Sequence, residues 1–391
     1  MGSKKRIRLL LLLRREMRRL ASRPIYLMSM VGAPLICFIF FTSLMRDGLP
    51  QDIPVAAVDA DNTATSRSIL RNLDAFQQTE IVHQYSNFAE ARKAMQEGKI
   101  YGFFYIPEGT TRKANRSEQP RISFYTNASY LIPASLVYRD MKMMSELAAG
   151  AAGRTSLLAR GYTDDQAMAF LQPIKIDTHA ISNPWLNYSV YLSNTLLPAV
   201  LMLMIFLVTI FSVQTELKDG TGRQWIELAG GRTWLALFGK LLPHTVIFTL
   251  MMLFAQIYLY KLLNFPLNGA MWHMLLLGLM FVLASQNLAL FICGLIPSLR
   301  WSLSLATLWG VLSFPICGFS FPVMAMPPAI QSLSAMFPLR YYYLIYVDQA
   351  LNGWSLQYSA QYYAILLIFI VLPLTDMHRI KHSMQNYEYL P

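Results

Sequence analysis

Few residues of this 391-residue chain are spaced for chemistry. Asp59, Asp61 and Asp74 can be imagined as a carboxylate cluster for a metal, but turn and helix-cap duty accounts for them better, because a short acceptor serves nearby backbone N–H groups. His378 and His382, in "HRIKH", stand one helical turn apart without a third ligand. His83 and His179 are isolated, and no G-x-S-x-G occurs, so neither zinc nor serine-nucleophile chemistry has its parts. Cys37, Cys293 and Cys317 sit in apolar runs and read as small buried hydrophobes rather than a disulfide framework. "GGRTWLALFGK" ends in the Gly-Lys of a phosphate loop, but the spacing is not G-x-x-x-x-G-K-[ST] and no strand precedes it. No catalytic, metal or cofactor site is therefore expected. What remains is "ELKDGTGRQWIELAGGRTW", Glu216 to Trp234, where charges and four glycines lie between two of the most apolar stretches. It reads as a handle for another protein.

The elements that must position this handle are membrane spans. The chain is 54% hydrophobic and only 14% charged, where soluble proteins carry roughly a quarter charged residues. A hydrocarbon core of about 30 Å needs roughly 20 apolar helical residues. Six stretches qualify: Pro24 to Met45, Tyr191 to Thr215, Leu235 to Tyr260, Met271 to Ile296, Trp301 to Phe321, and Ala360 to Leu374. The first is too long for a signal-peptide core and lacks a small-x-small cleavage site, so it reads as a permanent anchor. Lys240 is the single charge within the spans, placed near an end where it can snorkel to the headgroups. Without ionisable groups at mid-membrane, coupling to an ion gradient has no support. Gln256, Ser285, Gln286, Asn287 and His244 either line a pathway or join helices.

Orientation follows from the basic residues. The net charge of +11 is concentrated at the start, where Lys4, Lys5, Arg6, Arg8, Arg14, Arg15, Arg18, Arg19 and Arg23 accompany one acid, Glu16. Residues 46–175 are close to neutral, so the basicity marks a membrane flank and gives no support to nucleic-acid binding. With short Lys/Arg-rich loops kept in the cytoplasm, both termini and the 216–234 interval fall on the cytoplasmic side. On a helical wheel Leu9, Leu10, Leu13, Met17 and Leu20 share an arc of about 100°, opposite Arg14, Arg15, Arg18 and Arg19. This predicts an amphipathic helix in the inner headgroup layer, its arginines against anionic lipid.

Between spans 1 and 2 the composition becomes that of a water-soluble domain. Strands are expected at "IPVAAVDAD", "TEIVHQY", "IYGFFYIP" and "RISFYTN", with helices at "SRSILRNLDAF" and "FAEARKAMQEG", followed by a helical return over 133–171. After span 5, residues 322–354 are apolar but broken by Pro322, Pro327, Pro328 and Pro338. They read as a re-entrant pair of short helices, with Tyr341, Tyr342 and Tyr343 at the interface. The expected fold is thus a polytopic α-helical membrane protein of six transmembrane helices, with an α/β extracytoplasmic domain inserted between spans 1 and 2. Its parts are a basic helix at 1–23, span 1 at 24–45, the outer domain at 46–190, spans 2 to 6 at 191–374, and a cytoplasmic tail at 375–391.

In this order the parts resemble the permease subunit of a type 2 ABC exporter, in the bacterial subgroup with a large periplasmic domain after the first span. "IPVAAVDADNTATSRSIL", "FAEARKAMQEGKIYGFFYIPEG" and "FYTNASY" are similar to that domain. "ELKDGTGRQWIELAGGRTWLALFGKLLP" is similar to the family's cytoplasmic segment, whose recurring positions are here Glu216, Gly220, Thr221, Gly239 and Lys240, and "AMFPLRYYY" resembles its Pro-aromatic signature. The resemblance implies a multi-pass permease of the bacterial inner membrane that pairs with a second copy or a paralogue. It also implies cytoplasmic ABC ATPase subunits as partners, contacted through Glu216, Asp219, Gly220, Thr221, Arg223 and Glu227, with the N-terminal helix alongside. Export is implied, with a periplasmic adaptor and an outer-membrane channel as further partners. The charge-free spans suggest a hydrophobic or amphipathic cargo such as a drug or lipid. Rival readings are a receptor or scaffold displaying the outer domain, and an intramembrane enzyme, for which no nucleophile with a base is present.

Overall fold

The computed structural model describes residues 2–386 apart from 117, 180 and 185, with side chains from residue 5 onward, so that of the expected tail 387–391 lie outside the described residues. Two compact units result, one of residues 1–46 with 180–391, the other of residues 47–179. The first opens with α1 (Gly2–Ser22). After Arg23, α2 (Pro24–Leu27) and α3 (Ala33–Leu44) run on through a π turn at Met28–Gly32, with Pro24 in the first turn, where a missing N–H costs nothing.

The second unit is a four-stranded sheet in the order β2-β1-β3-β4. β1 (Ile53–Asp59) is followed by α4 (Ala64–Asp74), β2 (Thr79–Gln84), α5 (Phe88–Gln96), β3 (Gly102–Ile106), α6 (Thr110–Asn115) and β4 (Ser123–Thr126). β1 pairs parallel to both β2 and β3, which requires the crossovers that α4 and α5 supply, and β4 closes the edge antiparallel to β3. Alternation along β1 builds two cores. Ile53, Val55 and Ala57 face a core with Leu70, Leu73, Val137 and Met141, whereas Ala56 and Val58 face Ala91, Ala94 and Phe103. The long helix α7 (Leu131–Ala159) and the short α8 (Asp164–Leu171) follow. The aspartates act locally: Asp59 accepts from the N–H groups of Asp61 and Asn62, Asp61 from that of Thr111, and Asp74 from that of Ile81.

The remaining helices are α9 (Tyr188–Lys218), α10 (Gly222–Leu228), α11 (Thr233–Ile257, extended by a π turn to Leu262), α12 (Met271–Leu295), α13 (Leu299–Ile316), α14 (Pro328–Ser334), α15 (Pro338–Tyr346), α16 (Ala360–Val371) and α17 (Met377–Asn386). Among the described residues, five helices are long and apolar enough to cross a membrane: Pro24–Leu44, Tyr188–Lys218, Thr233–Leu262, Met271–Leu295 and Ala360–Asn386. The stretch expected as a further span forms α13, only 18 residues long, and is not among them. Its apolar content is diluted by Arg300, three serines and Pro315. α13 lies along α9, with Gly310 against Leu203.

One expectation is overturned in the proline-broken segment. Tyr341 and Tyr342 are buried inside the helical unit instead of lying at an interface. α15 packs on α9, α12 and α16, the Tyr342 ring centroid is 4.8 Å from that of Phe281, and the Tyr341 hydroxyl donates to the Ala335 carbonyl at 2.8 Å. A tyrosine whose hydroxyl finds a partner buries its ring as well as phenylalanine does.

Candidate functional site

The polar centre of the helical unit is a cluster of buried charges that joins α1, α9 and α11. Glu16, Glu216, Lys240 and His244 are each no more than 1% exposed. Lys240 Nζ donates to Glu16 Oε2 at 2.9 Å and to Glu216 Oε1 at 2.8 Å. The other Glu16 oxygen accepts from Ser212 Oγ at 3.0 Å and faces His244 Nε2 at 3.0 Å, so the imidazole proton sits on Nε2. Glu216 accepts further from Arg15 at 2.7 Å, from Arg19 at 2.5 Å, and from the Thr221 hydroxyl. The Trp225 ring lies 5.4 Å from the Lys240 ammonium, within cation–π range. Charges taken this far from water persist only when paired and hydrogen-bonded, and here every carboxylate oxygen has a donor. For Glu16, burial alone pushes the carboxyl's pKa up. The His244 hydrogen bond and the Lys240 charge outweigh that and bring it down to about 2.

This arrangement corrects the reading of α1. Its packed stripe is Leu9, Leu12, Leu13, Glu16 and Leu20, turned toward α11 rather than into lipid. Arg15 and Arg19 point inward to Glu216, and of the four arginines only Arg14 and Arg18 are exposed. Lys240 does not snorkel, because two carboxylates from other helices meet it where it stands. Close approach of α1 depends on Gly239, where an added Cβ would lie 2.7 Å from the Leu12 Cβ. Gly239→Val is expected to cost about 1–3 kcal/mol by overpacking and to loosen α1. Faster trypsin cleavage after Arg15 and Arg19 in the folded protein is the readout.

The six handle residues divide in two. Glu216 and Thr221 form part of the interior cluster, so Glu216 is not a surface contact. Asp219, Gly220, Arg223 and Glu227 are exposed. α10 is anchored by Trp225 and Ile226, both buried, while Arg223 and Glu227 pair on its outer side at 3.1 Å. Asp219 is 3.9 Å from both Arg19 and Arg23. Gly230, at φ 69°, lets α10 end in a left-handed turn against which Arg8 lies, and α17 packs on α10 as well.

The other polar groups considered for a pathway are placed between and along helices, with Ser285 donating to the Phe281 carbonyl one turn back. Gln256 Nε2 donates to the Met274 carbonyl at 2.6 Å, and Gln286 Oε1 accepts from Thr245 at 2.5 Å, so both join α11 to α12. Asn287 bonds to Leu283 one turn back in its own helix. Glu16 is the functional candidate that sequence reasoning passed over, and His244, weighed there only as a pathway-lining or helix-joining group, is its partner. The signals were present: one acid within the leucine stripe of a basic helix, and Lys240 and His244 four residues apart on one face of an otherwise uncharged span.

Comparison with known proteins bears on this geometry. No curated protein matches the chain. The family model described as ABC-2 family transporter protein matches residues 24–375, which include Glu216, Lys240, His244 and α10. The chain therefore belongs to the ABC-2 transporter family, as a multi-pass membrane permease of the kind that works with ABC ATPase partners.

Proposed function

We propose that this chain is the permease subunit of an ABC exporter, moving a hydrophobic or amphipathic substrate, a drug or a lipid, from the inner leaflet outward. The observation that carries this reading is α10: its apolar residues anchor it in the unit while Asp219, Arg223 and Glu227 face outward, unused by the fold beyond surface pairs. A cytoplasmic ATPase gripping that face would move α10. Glu216 and Thr221 would then pass the motion through Lys240 to α11 and through Arg15 and Arg19 to α1. ATP-driven closure of two ATPases would rock the spans of a dimer apart, in a homodimer or with a paralogue. We take α13 as a sixth crossing, since it lies along α9 for its length, which puts both termini in the cytoplasm of a bacterial cell. The 46–190 domain is then periplasmic, placed to hand cargo to an adaptor and an outer-membrane channel.

The charge-swapped variant Arg223→Glu/Glu227→Arg tests the reading. It keeps the surface pair, worth only a few tenths of a kcal/mol, but inverts the pattern a partner meets. ATPase co-purification and export are expected to fall at least roughly tenfold with an unchanged melting temperature. Undiminished co-purification would remove α10 as the contact.

A further inference from the structure

The outward side of α1 has its own pattern. Ile7, Leu10, Leu11, Arg14, Met17 and Arg18 are linked by spacings of three, four and seven residues, so they form a single stripe on the side away from α11. Ile7, Leu10, Leu11 and Met17 are 55%, 64%, 51% and 54% exposed, an aliphatic surface that a chain does not leave in water without a reason. Arg14 and Arg18 stand one turn apart within it, and neither has a hydrogen-bond or ion-pair partner among the described residues. Arg15 and Arg19, by contrast, are held by Glu216. The one acid of α1, Glu16, is buried on the opposite side.

One residue, Arg23, separates α1 from the helix Pro24–Leu44, which is long and apolar enough to cross a membrane. The C-terminal end of α1 therefore lies at headgroup level. An acidic protein surface would pair the two arginines but leave four aliphatic side chains in water. Anionic phospholipid meets both demands, since its acyl region receives the aliphatic residues while its phosphate accepts from the guanidinium groups.

We propose that the outward face of α1 is a binding site for anionic phospholipid, with Arg14 and Arg18 as the phosphate ligands and Arg15 and Arg19 excluded from it. Because the inward stripe of the same helix carries Glu16, lipid bound here stabilises the position of α1 that completes the buried charge cluster. The site stands whether or not α10 engages an ATPase.

The test uses the purified full chain in mixed micelles of phosphatidylglycerol or phosphatidylcholine, with retained lipids counted by native mass spectrometry. Wild type is expected to retain phosphatidylglycerol preferentially and to lose that preference as salt rises. Arg14→Gln/Arg18→Gln should weaken phosphatidylglycerol retention roughly 10- to 30-fold, at an unchanged melting temperature and with phosphatidylcholine unaffected. Arg15→Gln/Arg19→Gln should lower the melting temperature and keep the lipid preference. Removing the same charge from the 47–179 unit, as Arg71→Gln/Arg92→Gln, should change neither. A salt-insensitive preference, or one that survives Arg14→Gln/Arg18→Gln, overturns the proposal. So does loss of ATPase co-purification in that variant with lipid retention intact, which would give the face to a protein partner.

Discussion

Lys240→Met is expected to destabilise the helical unit by about 3–5 kcal/mol, because it strands the Glu16 and Glu216 carboxylates without the cation they share. Methionine fills most of the lysine's volume, so the loss reports charge rather than a cavity. Glu16→Gln in the same background should recover part of it, since the amide no longer needs a counter-charge. Removing the exposed Arg223–Glu227 pair should cost only a few tenths of a kcal/mol, although it too lies within hydrogen-bond distance at 3.1 Å. Thermal denaturation of the full chain in detergent distinguishes these cases. A Lys240→Met variant within 1 kcal/mol or so of wild type would mean that water or protons reach the cluster, against the burial described above.

Acid should release the same device. The Glu16 carboxyl is lowered from an ordinary 4.5 to about 2, so its folded state holds the charged form more tightly than the unfolded chain does. A depressed carboxylate contributes stability that is present in full above the unfolded value. That contribution is lost as pH falls from about 5 toward 2, and here it amounts to about 3 kcal/mol. Melting temperature is therefore expected to fall steeply across this window. In Glu16→Gln the same window should be flatter, from a lower starting stability at neutral pH. Equal acid slopes in the two proteins would place the acid sensitivity elsewhere.

These effects rest on contacts that no local pattern reports. Glu16 and Lys240 are 224 residues apart in sequence, and Arg15 and Glu216 are 201 apart. The wheel drawn for α1 placed Arg14, Arg15, Arg18 and Arg19 together because it counted charge against hydrophobicity on one isolated helix. Such a count cannot tell which of two apolar stripes will meet a neighbour. Once α11 offers Lys240, His244 and the space above Gly239, the stripe containing Glu16 turns inward, and with it Arg15 and Arg19. The same limit explains Tyr341 and Tyr342, where proline breaks were visible but the helices that would cover α15 were not.

Local patterning was enough where neighbours did not matter. The short apolar run at residues 53–58, the cap beside Thr63 and the stop at Gly98 mark strands and helices of the 47–179 unit, since these signals act over a few residues. Continuous apolar runs mark the membrane-length helices for the same reason, and α13 shows how a shorter, serine-diluted run escapes that test. The sequence by itself therefore determined the elements and the charged interval at 216–234. Tertiary structure alone decided that Glu216 faces the interior and Arg223 the exterior, because desolvated charges choose their partners across the fold and not along the chain.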